Sequence, residues 1–438
     1  MPNCTKELFK YPAFDRRKIE ASFGGGDVVS SDAGIMLLSQ VDEKLGLTKA
    51  LDNAMKDRRN PYLITHEQRN LIKQRVYGLA LGYEDLNDHD TLRKDLAWQT
   101  AMQGDEELAS SPTLSRLEGR ADRKTAVKMH EIFVEQFIAS FKEAPKELIL
   151  DFDATDDRVH GNQEKRFFHG YYGNFCFLPL YVFCGDQLLV SYLRPSNIDA
   201  ARHSWAILSL LTKRFRQEWP GVKIIFRGDS GFCRWKMFRW CEKNAVDYVV
   251  GIARNARLQP LLEPQLVQAK TEFDTTGEKS RRFTWLSYKA ESWDKVRFII
   301  GKAEHTSQGS NPRFVITSLR GDAQKIYDQI YCQRGEMENR IKEQQLGLFA
   351  DRTSCHGWWA NQFRLLLSSA AYLLIETIRR IGLYDTELAR AQAGTIRLKL
   401  LKIGAVVLRN TRRIQLLMSS AFPYQEIFSS VFSRFSTS

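Results

Sequence analysis

The apolar and polar positions change their period at Pro145. Before it, apolar residues return every three or four positions over Ala33–Leu45, Glu67–Tyr83 and Lys124–Phe141, the spacing of one helix face. Ser30-Ser31-Asp32 supplies N-cap oxygens ahead of the first of these, and Ser111-Pro112-Thr113 starts a shorter helix through Leu114–Leu117. Gly24-Gly25-Gly26 reads as a turn; no Gly-Lys-Ser/Thr follows it, so nothing there makes a phosphate loop. After Pro145 the apolar runs are short and extended. Glu147–Asp153 is a strand ending in acid, and Phe175–Cys184 and Gln187–Leu193 form a hairpin around Gly185-Asp186. A helix over Ala200–Phe215, a strand over Val222–Phe226, a helix over Arg234–Asn244 and a strand over Tyr248–Ile252 follow. This alternation predicts an α/β fold: a mixed sheet with helices on both faces.

Residues 257–320 break the rhythm. Three β-like runs, Phe283–Tyr288, Val296–Ile300 and Phe314–Thr317, are separated by polar turns and read as a β-rich insertion. From Ala323 the pattern is helical to about Leu346, and again from Trp358 to Arg380. The resulting division is a mainly helical 1–145, a core over 146–256 and 321–380, the insertion at 257–320, and a basic, partly helical C-terminal region at 381–438. The longest apolar run, Leu365–Ile375, lies between Arg364 and Glu376 and is too short for the roughly 18–20 residues of a membrane span. It predicts a buried helix and no membrane partner. The first eighteen residues contain no apolar secretory core.

Composition adds a partner. The 438 residues are 43% hydrophobic, which excludes a disordered or fibrous chain. Lys and Arg number 64 against 52 Asp and Glu, a net charge of +12. Residues 1–145 carry 21 basic and 23 acidic side chains, 146–350 carry 31 and 24, and 351–438 carry 12 and 5. A polyanion, nucleic acid first, is expected across the middle and the end. Seven cysteines without a Cys-x-x-Cys pair argue against a disulfide framework and a zinc knuckle, and suggest a reducing, cytoplasmic setting.

Three places put carboxylates where chemistry can use them. Asp153 ends one apolar strand, within Asp151-x-Asp153-x-Thr155-Asp156-Asp157, and Asp229 ends another, after Arg227-Gly228. Acids at strand ends are half buried and need a compensating cation. The third is Tyr331-x-x-Arg334-x-x-x-Glu338, whose offsets share a helix face that Lys342 continues. Arg grips phosphate oxygens as a fork, while Glu suits a metal. Two Asp and one Glu form a hard oxygen set selective for Mg²⁺ or Mn²⁺, and two such ions about 3.5–4 Å apart would serve in-line phosphoryl transfer.

On these residues the chain resembles bacterial insertion-sequence DDE transposases, with a ribonuclease-H-like core. The Tyr331–Glu338 spacing is similar to the signature of the branch related to insertion-sequence family 4. Ser111–Arg116, Asp151–His160 with Gly161-Asn162-Gln163-Glu164, Gly228–Phe232 and Glu338–Glu343 resemble insertion-sequence family 1380. The resemblance runs from about Ser22 to Arg380. It implies that Asp153, Asp229 and Glu338 are the catalytic, metal-binding triad, with Asp151 and Asp156 as alternatives for the first acid. It implies Mg²⁺, with Mn²⁺ as a substitute, and a homodimer that holds two DNA ends in a synaptic complex. Tyr331 and Arg334 would contact DNA-end phosphates, with Arg227 and Lys342 as further DNA contacts. Trp285 and Trp293, in the insertion, are candidates to stack on a displaced base. The first 145 residues would help to recognise the element ends. The related signature has Lys seven positions after the Glu, where this chain has Gln345. His160 and His169 lie near the first acid and are expected in structural or backbone-contact roles. The implied location is the bacterial cytoplasm, on the nucleoid. A metal-dependent nuclease without strand transfer and a transposase-derived DNA-binding protein are the rival readings.

Overall fold

A computed structural model describes residues 8–14, 17–22 and 28–436. The Gly24-Gly25-Gly26 turn lies outside them. The centre is one sheet built from β1 (Glu147–Ala154), β2 (Leu180–Cys184), β3 (Gln187–Tyr192), β4 (Lys223–Gly228), β5 (Asp247–Ile252), β6 (Ser280–Tyr288), β7 (Arg297–Thr306) and β8 (Arg313–Thr317). Their order is β6-β7-β8-β5-β4-β1-β2-β3, and the short Gly309–Ser310 pairs with the end of β7. β4 runs parallel to β1 and β5 parallel to β4, while every other pairing is antiparallel. β1 is central because it is apolar on both faces: Leu148, Leu150 and Phe152 enter one core cluster and Ile149 another.

The helices that matter are α1 (Ile35–Leu45), α2 (Gln68–Leu81) and α3 (Arg123–Ala139) before the sheet, and α4 (Ser204–Glu218) and α5 (Trp235–Lys243) within it. Then come α6 (Leu258–Thr276), α7 (Arg334–Lys342), α8 (Trp358–Thr377) and α9 (Gln425–Ser436). α8 is buried nearly all round, as its apolar run predicts. Its polar side chains are used: Gln362 accepts from the Leu193 amide at 2.8 Å and donates to the Ser191 carbonyl at 3.0 Å, and Tyr372 donates to the Asp186 carbonyl at 2.7 Å. The helices of the first 145 residues share one core with α8, so no core boundary falls at Pro145. A buried Arg75–Glu118 pair at 3.0 Å, with Arg364 of α8 3.6 Å from the same carboxylate, joins the two parts electrostatically.

Several local expectations change. The run Phe175–Cys184 is two strands, Asn174–Phe177 and β2, in different sheets; Pro179, between them, lacks the amide that a continuous ladder needs. Residues 257–320 open with nineteen helical residues, α6, which Pro260 and Pro264 obscured in the sequence. The strands that follow extend the central sheet. Past residue 381 the chain also forms strands, Ala405–Arg409 and Ile414–Met418, the first pairing with Val29–Ser30, before α9 packs against α1. Among the described residues, no helix is long and apolar enough to cross a membrane.

Candidate active site

The parallel register sets the site. Asp151 on β1 lies opposite Arg227 on β4, and Phe152 opposite Gly228, so the next positions are Asp153 and Asp229. Side chains alternate along a strand, so Asp151 and Asp153 share a face, and Phe152 takes the other. There Phe152 packs edge-on against Phe226 at 5.1 Å and Phe232 at 6.3 Å. Phe232 also folds over Gly228, where a Cβ would come within 3.1 Å of its own. This aromatic knot fixes both strand ends from beneath. Asp229 keeps extended backbone and accepts from the Gly231 amide at 2.9 Å, capping the single turn Ser230–Phe232.

The acidic face is covered by the segment after β8. It is not one even helix: Ile326–Tyr331 and Glu343–Gly347 are π-helical on either side of α7. Such π segments recur at functional sites. Arg334 Nη1 stands 3.5 Å from Asp153 Oδ2, and its other nitrogen pairs with Glu338. The Asp153 side chain is 14% exposed and that of Glu338 is 43%. Burial pushes Asp153 up to about 7; Arg334 opposes this, and Asp229 and Glu338 add to it. Tyr331 reaches over Gly251 of β5: a Cβ there would stand 2.6 Å from the phenol oxygen and 3.0 Å from the Ser230 amide nitrogen. Asp229 is among the charges acting on that phenol.

Asp153, Asp229, Arg334, Glu338 and Tyr331 are thus brought together. Among the described residues no three His, Cys, Asp or Glu are gathered as metal ligands. The physical reason is that three carboxylates repel, and here the positive charge between two of them is Arg334. Asp151 is taken by Arg227, whose Nη2 donates to it at 2.8 Å while Nη1 donates to the Ile330 carbonyl at 2.7 Å. Arg227 is buried, so its expected DNA contact is replaced by a structural one. Trp293 is 7% exposed and packed against Phe238 and Tyr288, a core position rather than a free stacking face. Trp285 is half-buried, donating to the Gly321 carbonyl at 3.2 Å. Lys342 is exposed, and among the described residues no carboxylate pairs with it. Gln345 donates to the Asp156 carbonyl at 3.1 Å, tying the segment after α7 to the loop after β1. His160 is exposed, whereas His169 packs against Tyr172.

Sequence reasoning missed the small sheet formed by Asp157–Arg158, Phe167–His169 and Asn174–Phe177, between β1 and β2. The signal was present as the dense aromatic run Phe167-Phe168-His169-Gly170-Tyr171-Tyr172.

A family model described as Transposase DDE domain group 1 matches residues 11–438. No curated protein matches the chain. Among solved structures it is similar to a piggyBac transposase synaptic complex with hairpin DNA, at 12% identity, over 93% of this chain and 82% of that one, with a TM-score of 0.44. DDE transposases generally use divalent metal ions. With the model spanning nearly the whole sequence and acids standing at two strand ends and on a later helix, the chain belongs to the Transposase DDE domain group 1 family.

Proposed function

We propose that this transposase-family chain binds the terminal inverted repeats of its own element, cuts DNA hydrolytically and joins the 3′-hydroxyl ends to a target. The observation that carries the reading is the pair Asp153 and Asp229 on neighbouring parallel strand ends, with Arg334 and Glu338 of one helix laid over them. The order β3-β2-β1-β4-β5, antiparallel then parallel, supports a ribonuclease-H-like core. Membership of insertion-sequence family 1380 and a bacterial host belong to the same proposal.

Asp153, Asp229 and Glu338 would hold Mg²⁺, or Mn²⁺ in its place, as two ions. The donor set fits: all are hard oxygens, and burial with mutual repulsion makes a cation the natural complement. Metal bound there would activate water or a 3′-hydroxyl and stabilise the leaving oxygen. The chain's own residues do the rest. Arg334 balances Asp153 and Glu338 in the free protein and is placed to turn its fork to a DNA phosphate. Tyr331 stands beside Asp229, and exposed Lys342 adds a phosphate contact one turn past Glu338. Two ends held together imply two protomers.

The test is cleavage and joining of a labelled DNA fragment bearing the gene's flanking end, with Mg²⁺ or Mn²⁺. Wild type should cut at the end and join it to a target. Asp153→Asn, Asp229→Asn and Glu338→Gln should bind and do neither. Cutting without joining would make the chain a nuclease, and binding without cutting would make it a DNA-binding protein.

A further inference from the structure

The small sheet between β1 and β2 carries an unusual surface. Phe168 and Phe175 are register partners and meet edge-to-face at 5.6 Å, and the Arg166 guanidinium lies 4.5 Å from the centre of the Phe175 ring. Yet Phe168 remains 58% exposed and Phe175 44%. At the tip, Tyr171 is 87% exposed and stands perpendicular to Tyr172 at 5.0 Å. Large rings left in water at this density are costly unless something covers them.

The cations say what. Arg158, Lys165 and Arg166 belong to the same segment, and among the described residues none pairs with a carboxylate. Of the acids there, Asp157 is buried, and exposed Glu164 is engaged, accepting from the Trp358 amide at 2.9 Å. Exposed rings interleaved with cations that no carboxylate neutralises suit unpaired nucleotides, whose bases stack while their phosphates are neutralised. The location suits them too. The segment leaves the sheet directly after Asp153, and the charges of Asp156 and Asp153 both act on the Tyr172 phenol. Tyr172 is thus the ring nearest those charges, and Tyr171, set against it, is the exposed one.

We infer that this aromatic hairpin grips a single DNA strand where it leaves the acidic site, holding bases unpaired beside the scissile phosphate by stacking on Phe168 and Tyr171. The inference rests on the reading of the acidic face as a DNA-cutting site and moves the base-stacking role from Trp285 and Trp293 to this hairpin.

Fluorescence anisotropy tests it without metal and without cleavage, in an Asp153→Asn background. The probes are an oligo-thymidine strand of about ten nucleotides, within the footprint of one stacking surface, and a blunt duplex of equal length. Replacing Phe168 and Tyr171 together by Ala should weaken strand binding about tenfold or more, leave duplex binding within about twofold, and leave the circular dichroism unchanged. Replacing both by Trp should restore strand binding. An unchanged strand affinity, an equal loss on duplex, or a change in sedimentation with strand affinity intact would overturn the inference. If the parent protein never cuts DNA but the rings still govern strand binding, the transposase reading fails and the hairpin stands.

Discussion

Asp151 and Arg227 face each other in register on adjacent parallel strands and share a 2.8 Å ion pair away from solvent. That pairing separates two aspartates that are two residues apart. Burial pushes Asp151 up to about 6, with Arg227 opposing it. Removing one partner of a buried pair leaves the other charge uncompensated, at about 3–5 kcal/mol. Asp151→Ala should therefore lose stability on that scale in a metal-free urea titration. Asp153→Asn removes a buried acid crowded by two others and should stay within about 1 kcal/mol of wild type or gain. Equal losses in the two variants would sink the distinction.

Gly251 is needed for closeness. Gly251→Ala forces a Cβ against the Tyr331 phenol and the Ser230 amide, an overpacking cost of about 1–3 kcal/mol. DNA cleavage should fall with it. In the double variant Gly251→Ala, Tyr331→Phe, the loss of the hydroxyl should return part of the stability. Thermal melts of the three proteins check this; no recovery would mean that the Ser230 contact dominates.

His89 sets an acid limit. Burial first, then the charge of Arg75, holds its imidazole down to about 3 from 6.5. Between those values the unfolded chain binds a proton that the folded chain refuses, so stability is lost as pH falls from 6.5 toward 3. His89→Gln should flatten that part of the curve. Urea midpoints at about pH 7 and about pH 5 for both proteins measure it, and parallel slopes would contradict it.

Because Arg334 supplies positive charge between Asp153 and Glu338, the fold should not need metal. A chelator should leave the melting temperature unchanged. Saturating Mg²⁺ should raise it in wild type through mass action, the gain in stability being about 2.7 kcal/mol at a hundredfold excess over Kd. It should not do so in Asp153→Asn. Unfolding on chelation would assign the metal a structural role.

Much of this architecture was legible in the sequence, for identifiable reasons. β1, β4 and β5 announced themselves as short apolar runs between helical patterns, and Asp153 and Asp229 as acids at their ends. The Arg334–Glu338 pair followed from helical spacing. What local pattern could not show was long-range pairing. Arg227 looked like a free cation beside Asp229, but its partners lie on β1 and at Ile330. Trp293 looked like an insertion aromatic because its packing partner Phe238 is distant in sequence. The helix α6 was hidden by prolines. The aromatic hairpin was hidden because its rings continue toward the apolar β2, so a single strand was read across both.

The placement of β8 between β5 and β7 has a consequence for the making of the protein. On the ribosome, the strands bearing Asp153 and Asp229 can pair early, but one side of β5 stays bare until β8 emerges, with residue 313 following residue 252 by 61 positions. Glu338 arrives only after that gap is filled. A message broken anywhere in this stretch yields a polypeptide with two acids, no third, and a naked strand edge of the kind that aggregates or is degraded. Translation through β8 and on to α7 thus decides which copies carry all three acids on a closed sheet.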